Sequence, residues 1–449
     1  MKIFINGLVV TMDPQRRVIA DGAVAVAGAL IQAVGRSEEL CAAWPDAERI
    51  DVRDHLVLPG FINAHTHLFQ VLIRGIGVDM PLAEWLAKAV WPLTRQLGPQ
   101  ECYLGTLLAS AEMLGCGVTT FVDSHYINKE KSSYDAIAQA VEEIGIRGVI
   151  TRSTVDSDPA PADFREAVDV AVKESVRIID GYHKKCGGRI RVRVEPLNEA
   201  LASEKMVLAM REVSRSYGVG FSMHLAETHE RVEGCRKKHG YSSLEWLWQL
   251  GVLGPDALLA HCVWVSHQEI ALLQSTGTKV AHNPVANQYL ADGVAPVREM
   301  LDRGVTVAVA TDGAASNNGQ NIFEAMKAAV LLQKVSRLDA GALTAQKALE
   351  MVTIDAARAI GMEEEIGSIE AGKRADLVFI DLETTPFVPR VSALSNLVYV
   401  APAGAVDRVV VDGQTVFSDG HPEKVDAVEV VRKCNKAVER MIRDAGIAG

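Results

Sequence analysis

Between Gly60 and Gly361 one texture recurs: a short β-rich run, then a longer segment with apolar residues at helical spacing. The runs are 60–64, 118–123, 147–151, 189–194, 218–224, 258–261, 279–282 and 305–311, and helical periodicity is clearest over 81–93, 100–114 and 322–332. Alternating βα units demand a parallel sheet. Eight of them predict an α/β fold, a (β/α)8 TIM-like barrel, whose chemistry sits at the C-terminal ends of its strands.

The flanks read differently. Short alternating runs broken by turns occur before residue 58 and return after Gly361, around Asp412-Gly413. The two chain ends are therefore expected to build one small β-sandwich domain. The expected division is 1–58 for its N-terminal part, 59–363 for the barrel, and 364–449 for the rest with an amphipathic closing helix over 425–445.

Five of the twelve histidines fall at predicted strand ends: His65 and His67, His224, His261 and His282. Residues i and i+2 of a strand share a face, so His65 and His67 aim together into the barrel mouth. Asp312 ends strand eight, which adjoins strand one once the barrel closes. His65, His67, His224 and Asp312 then suit one divalent ion, Zn²⁺ or Fe²⁺, with a position left for water. Such an ion brings the pKa of bound water from 15.7 to about 7 and so generates hydroxide at neutral pH. No lysine that could bridge two metals ends a predicted strand, so a single ion is expected.

Expelling ammonia needs a proton as well as a nucleophile. Glu227, three residues past His224, is placed to shuttle it, and His261 to stabilise developing charge. Asp312 can relay a proton besides holding the ion. His282 is left open between a supporting and a substrate-binding role, and Cys262 reads as an inert buried thiol.

Composition narrows the class. With 46 Lys and Arg against 57 Asp and Glu, the net charge of −11 argues against a general nucleic-acid binder. No apolar stretch reaches the ~18 residues of a membrane span, and Met1-Lys2-Ile3-Phe4-Ile5-Asn6-Gly7 reads as a strand and turn, so a cytoplasmic location is expected. Seven scattered cysteines without Cys-x-x-Cys predict free thiols.

The segments Pro59-Gly60-Phe61-Ile62-Asn63-Ala64-His65-Thr66-His67, His224-Leu225-Ala226-Glu227-Thr228, Ala260-His261-Cys262 and Thr311-Asp312-Gly313-Ala314-Ala315-Ser316-Asn317-Asn318 resemble the amidohydrolase superfamily. The similarity is to its branch of metal-dependent deaminases and s-triazine hydrolases, and Ile366 to Leu377 adds a match where such chains leave the barrel. The resemblance implies metal ligation by His65, His67, His224 and Asp312, catalytic roles for Glu227 and His261, and a homo-oligomer.

The expected activity is hydrolytic deamination of an aminated N-heterocycle of purine, pterin or s-triazine type, a small-molecule substrate with neither nucleic acid nor membrane as partner. Alternatives are an s-triazine chlorohydrolase or alkylaminohydrolase, and an S-adenosylhomocysteine or methylthioadenosine deaminase. In the latter a glutamate is expected to hold the ribose hydroxyls where this chain has Thr94, and a hydroxyl cannot accept both as a carboxylate would. Asn287 to Val297 looks like atrazine chlorohydrolase and melamine deaminase, and His67-Leu68-Phe69-Gln70 like 8-oxoguanine deaminase, although Asn283 stands where that family has cysteine. The expected substrate contacts are Gln70, Thr94, His125, Asn283 and Ser316.

Overall fold

The computed structural model describes residues 1–447. Eight parallel strands pair consecutively: Phe61–Thr66, Val118–His125, Arg147–Thr154, Ile190–Pro196, Gly220–Leu225, Ala257–His261, Lys279–His282 and Val307–Val309. All eight expected runs became strands, most extended or trimmed by a residue or two. Their residues are buried almost throughout, as befits strands covered on one face by helices and on the other by the barrel interior.

Side chains help to close the barrel. Between strands one and eight, Asn63 takes the place of a ladder partner: its Oδ1 accepts from Thr311 N at 3.0 Å and its Nδ2 donates to Thr311 Oγ1 at 2.7 Å. One residue further, Asp312 N donates to the His65 carbonyl at 3.0 Å. The seam that closes the barrel thus locks Asp312 beside His65.

Both chain ends contribute to one nine-stranded sheet. Their junction is Leu377–Asp381 running antiparallel to His55–Pro59, and Phe4, Val24, Val57, Phe379 and Val410 share one core. The strand Glu48–Asp51, polar and mostly exposed, pairs parallel with Lys2–Val10 and was not anticipated. The closing helix, Ala427–Ala445, is capped by Asp426 and buries Val430, Cys434, Ala437 and Met441 on one stripe. Among the described residues no helix is long and apolar enough to cross a membrane.

A buried ion-pair network ties this sheet to the barrel floor. Arg147, fully buried at the start of strand three, forks onto Asp376 at 2.9 and 3.0 Å and reaches Asp412 at 2.7 Å. Burial opposes the guanidinium charge, but the two carboxylates outweigh it and hold Arg147 above its ordinary pKa. Asp376→Ala should therefore destabilise the fold by about 3–5 kcal/mol, since it strands a buried cation; a denaturant midpoint equal to wild type would contradict the role given to this network.

Candidate metal centre and active site

Six side chains meet at the C-terminal mouth of the barrel, none more than 6% exposed: His65, His67, His224, Glu227, His261 and Asp312. Strand geometry delivers most of them, and strained backbone turns some inward. Ala226, His261, Cys262 and Asp312 adopt left-handed φ of +50°, +72°, +48° and +62°. Non-glycine residues take that conformation at a cost, and its concentration at strand ends marks a site held by its surroundings.

One ligand atom each from His65, His224, His261 and Asp312 lies within 4.8 Å of the others. His67 joins the same focus, its Nε2 standing 3.2 Å from His224 Nε2 and 3.3 Å from Asp312 Oδ1. Asp312 Oδ1 is also 3.4 Å from His65 Nε2. Five donors converge, one more than the four expected as ligands. No lysine lines this cavity.

The outer hydrogen bonds set which nitrogen faces inward. His67 Nδ1 lies 2.6 Å from the Ser124 carbonyl, and His224 Nδ1 lies 3.0 Å from Glu195 Oε1 and 3.2 Å from the Leu197 carbonyl. These oxygens only accept, so both Nδ1 atoms carry protons and both Nε2 lone pairs point at each other. Lone pairs 3.2 Å apart repel unless a cation stands between them. A proton would satisfy that pair alone, whereas His65 Nε2, His261 Nε2 and Asp312 Oδ1 are also buried without hydrogen-bond partners. The donor set therefore fits a divalent cation.

Electrostatics agree. Burial, with the neighbouring His224, pushes His65 down to about 3, and burial and His67 hold His224 well below its ordinary value. Asp312 is opposed by burial, yet His65 and His67 hold it well below the usual carboxylate range. Neutral imidazoles and an ionised carboxylate are the forms that ligate metal. His67 is raised instead, burial being outweighed by Asp312.

Glu227 Oε1 lies 3.8 Å from His261 Nε2, and its Oε2 lies 3.5 Å from Arg231 Nη1. Burial raises its pKa, but His261 and Arg231 prevail and keep it below its ordinary value. His261 is oriented from behind by Asn287, whose Oδ1 is 2.9 Å from Nδ1. Above the donors is a small cavity of about 40 Å³, walled by Leu82, Trp85, Leu86, Trp91 and Leu290. It abuts a vestibule of about 1410 Å³ that shares Leu82, Trp91 and Arg231 with it.

The five expected substrate contacts divide. Gln70 lines the cavity and packs on Gly313, where a Cβ would approach its Oε1 to 1.9 Å. Ser316 instead donates to Asp312 Oδ2 at 2.7 Å and holds the carboxylate. Thr94 spends its hydroxyl on the Val90 carbonyl at 2.7 Å, within its own helix. His125 is buried between Phe69 and Tyr134, with Nε2 on the Ile127 carbonyl. Asn283 Nδ2 stands 3.4 Å from His261 Nδ1, behind the site. Those last three do not line the cavity, so the geometry gives them no substrate contact in this state. His282 is also fully buried behind the site, and burial raises the Cys262 thiol pKa, in keeping with an inert sulfur.

Two residues escaped sequence reasoning. Glu195 ends strand four and grips His224 while accepting from Ser124 Oγ at 2.5 Å and from Ser153 Oγ. The strand-end rule that singled out the histidines and Asp312 applies to it equally, because it directly follows the expected run 189–194. Arg231, one helical turn past Glu227, carried no such signal. Because partners of ligating histidines typically govern metal affinity by 10–100-fold, Glu195→Ala should loosen the ion by about that factor in chelator competition. Unchanged affinity would remove Glu195 from the centre.

A family model described as the amidohydrolase family matches residues 56–416, and one described as a bacterial imidazolonepropionase-like composite domain matches residues 22–47. A 5'-deoxyadenosine deaminase of Methanobrevibacter smithii is 36% identical over 393 residues, 87% of this chain and 88% of its own. Among solved structures, a zinc-bound adenosine deaminase from Xanthomonas campestris superposes with a TM-score of 0.93 at 28% identity, covering 98% of each chain. An atrazine chlorohydrolase from Arthrobacter aurescens in complex with zinc gives 0.92 at 26% identity, covering 98% of this chain and 100% of its own.

Proposed function

The chain belongs to the amidohydrolase family, and from that premise we propose that it is a zinc-dependent aminohydrolase that replaces the amino group of an N-heterocycle by oxygen and releases ammonia. The observation that carries this reading is the convergence of four imidazoles, those of His65, His67, His224 and His261, and the Asp312 carboxylate on one focus, with a second carboxylate, Glu227, beside it.

His65, His67, His224 and Asp312 would hold the ion, with His261 facing it from the strand-six side. When bound, the ion supplies Lewis acidity and a water acidic enough to yield hydroxide near neutral pH. Glu227, kept ionised by His261 and Arg231, is placed to take a proton from the attacking water and to deliver it to the ring nitrogen beside the reacting carbon. His261 Nε2, which has no protein partner, faces the oxygen that gains charge as the carbon becomes tetrahedral. Asp312, held in its ionised form by its histidine neighbours, is placed to take the remaining proton and pass it to the amine. A C–O bond forms, the C–N bond breaks, and one water is consumed per ammonia released. Gln70 orients the ring from the opposite wall, and the apolar side chains above exclude bulk water.

Two observations bear on rival readings. The deoxyadenosine-deaminating relative favours a nucleoside, but Thr94 offers no group to a ribose diol. The atrazine chlorohydrolase likeness favours chloride as leaving group, yet Asp312 and Glu227 provide two proton carriers, which an amine needs and chloride does not. Zinc-loaded protein should release ammonia from at least one of guanine, 8-oxoguanine, pterin, methylthioadenosine and an aminotriazine. Chloride or alkylamine release alone from substituted triazines would transfer the reading to the hydrolytic dehalogenases.

A further inference from the structure

Two residues past strand four, Asn198 bridges across to His224 on strand five and is 2% exposed. Its Oδ1 accepts from Ala200 N at 3.0 Å and from Leu201 N at 2.9 Å. The opposite amide orientation would set an NH2 group against those two N–H donors, so the chemistry of the turn fixes which end is which. Asn198 lines the inner cavity and not the vestibule, although Glu199, Ala200 and Leu201 line the vestibule. With Oδ1 turned back onto the main chain, Nδ2 is the end left to face the cavity, and among the described residues it donates to none. A buried donor without a partner is expensive to keep.

We infer that Asn198 determines specificity by donating from Nδ2 to an unprotonated ring nitrogen other than the one that Glu227 protonates. This rests on the deaminase reading and narrows its substrate class to heteroaromatic amines with at least two such nitrogens. Adjacent strands lie about 4.8 Å apart, so a donor beside His224 stands about one ring's width from the metal focus. It therefore meets the reacting ring itself, and a substituent reaching into the vestibule passes it by. The NH2 group cannot accept, so a ring N–H or C–H at that place would leave it unpaired. The walls above, Leu82, Trp85, Leu86 and Trp91, hold a flat ring by its faces and leave its edge to the polar groups. Asn198 thus sets the rotation of the ring in its plane, and with it which amino-bearing carbon is presented for attack.

The test uses zinc-loaded full-length protein, Asn198→Asp, and two series in which ring nitrogens are removed one at a time. The first is 2-amino-1,3,5-triazine, 2-aminopyrimidine and 2-aminopyridine; the second is adenine with its 3-deaza and 7-deaza analogues. Asn198→Asp keeps the oxygen that the turn needs and replaces the donor by an acceptor, so its thermal midpoint should stay near wild type while the parent of at least one series binds about 10-fold more weakly. Calorimetric affinities isolate the contact from the intrinsic reactivity of each ring. In that series one nitrogen removal should cost wild type a similar factor and cost Asn198→Asp nothing. A role confined to the turn would weaken every compound equally, and a constant ratio of wild-type to variant affinity in both series overturns the inference. So does failure of either parent to bind. Ammonia release is followed in parallel: if no compound yields it, the deaminase reading fails, and the affinity ratios still decide this one. Should Asn198→Asp not fold, equal wild-type affinities for each parent and all its analogues would overturn the inference, and a loss confined to one nitrogen would support it.

Discussion

Asp312→Ala protein should emerge from purification with little metal and no measurable deamination. The carboxylate does three things at once. It is the carboxylate that stands against both His65 and His67, at 3.4 and 3.3 Å. It is aimed by Ser316 through Oδ2 and by its own backbone N–H on the His65 carbonyl. It also carries the proton assigned to the leaving amine. Removing even an outer partner of a metal ligand costs about 10–100-fold in affinity, and loss of the ionic ligand itself should exceed that. Without it no carboxylate directly meets the focus of the imidazoles to balance a divalent charge, since Glu195 grips His224 from behind and Glu227 stands to one side. Metal content by elemental analysis and ammonia release checks both halves; a variant that retains one ion per chain and turns over would show that the strand-eight carboxylate is dispensable.

Glu227→Gln should separate binding from turnover. The amide has nearly the same shape and lies off the convergence point, so the ion should stay. Turnover should fall by about 10²–10⁴-fold, the usual worth of a positioned general acid-base group. The pH dependence carries a sign as well. Burial alone would raise Glu227, but His261 and Arg231 hold it below its ordinary value. Its base form is thus present at neutral pH and is lost as pH falls through that lowered pKa. The acid limb of kcat/KM should therefore lie on the acid side of a model glutamate and vanish in Glu227→Gln. A variant at wild-type rate would assign the proton transfer elsewhere.

Much of this site was legible before any coordinates because strand-end placement is a property of the local pattern. His65, His67, His224, His261 and Asp312 each follow a β-rich run, and a closed parallel barrel has only one mouth for such ends to face. What escaped depended on side-chain direction or on distant partners. Thr94 lies one residue past the expected helix yet falls within it, and its hydroxyl folds back on the i−4 carbonyl, a choice made by local bonding. His125, expected just past strand two, is its last residue, and Phe69 and Tyr134 enclose it. Arg231 and Glu195 matter only through what they face across the barrel. Leu82–Trp85, Leu86–Val90 and Trp91–Thr94 look from their periodicity like one helix; the structure interrupts them with a π-type turn that brings Trp85, Leu86 and Trp91 over the cavity. The left-handed backbone at His261 and Asp312 was not singled out from the sequence, because Asp and His are only enriched in that region and most of them lie outside it.

Anomalous diffraction from zinc-loaded crystals, collected on either side of the zinc edge, tests the metal centre most directly. One peak per chain is expected, about 2.0–2.2 Å from Nε2 of His65, His67 and His224 and from an Asp312 oxygen. No peak at the barrel mouth, or a peak held by fewer than three of these side chains, would contradict it.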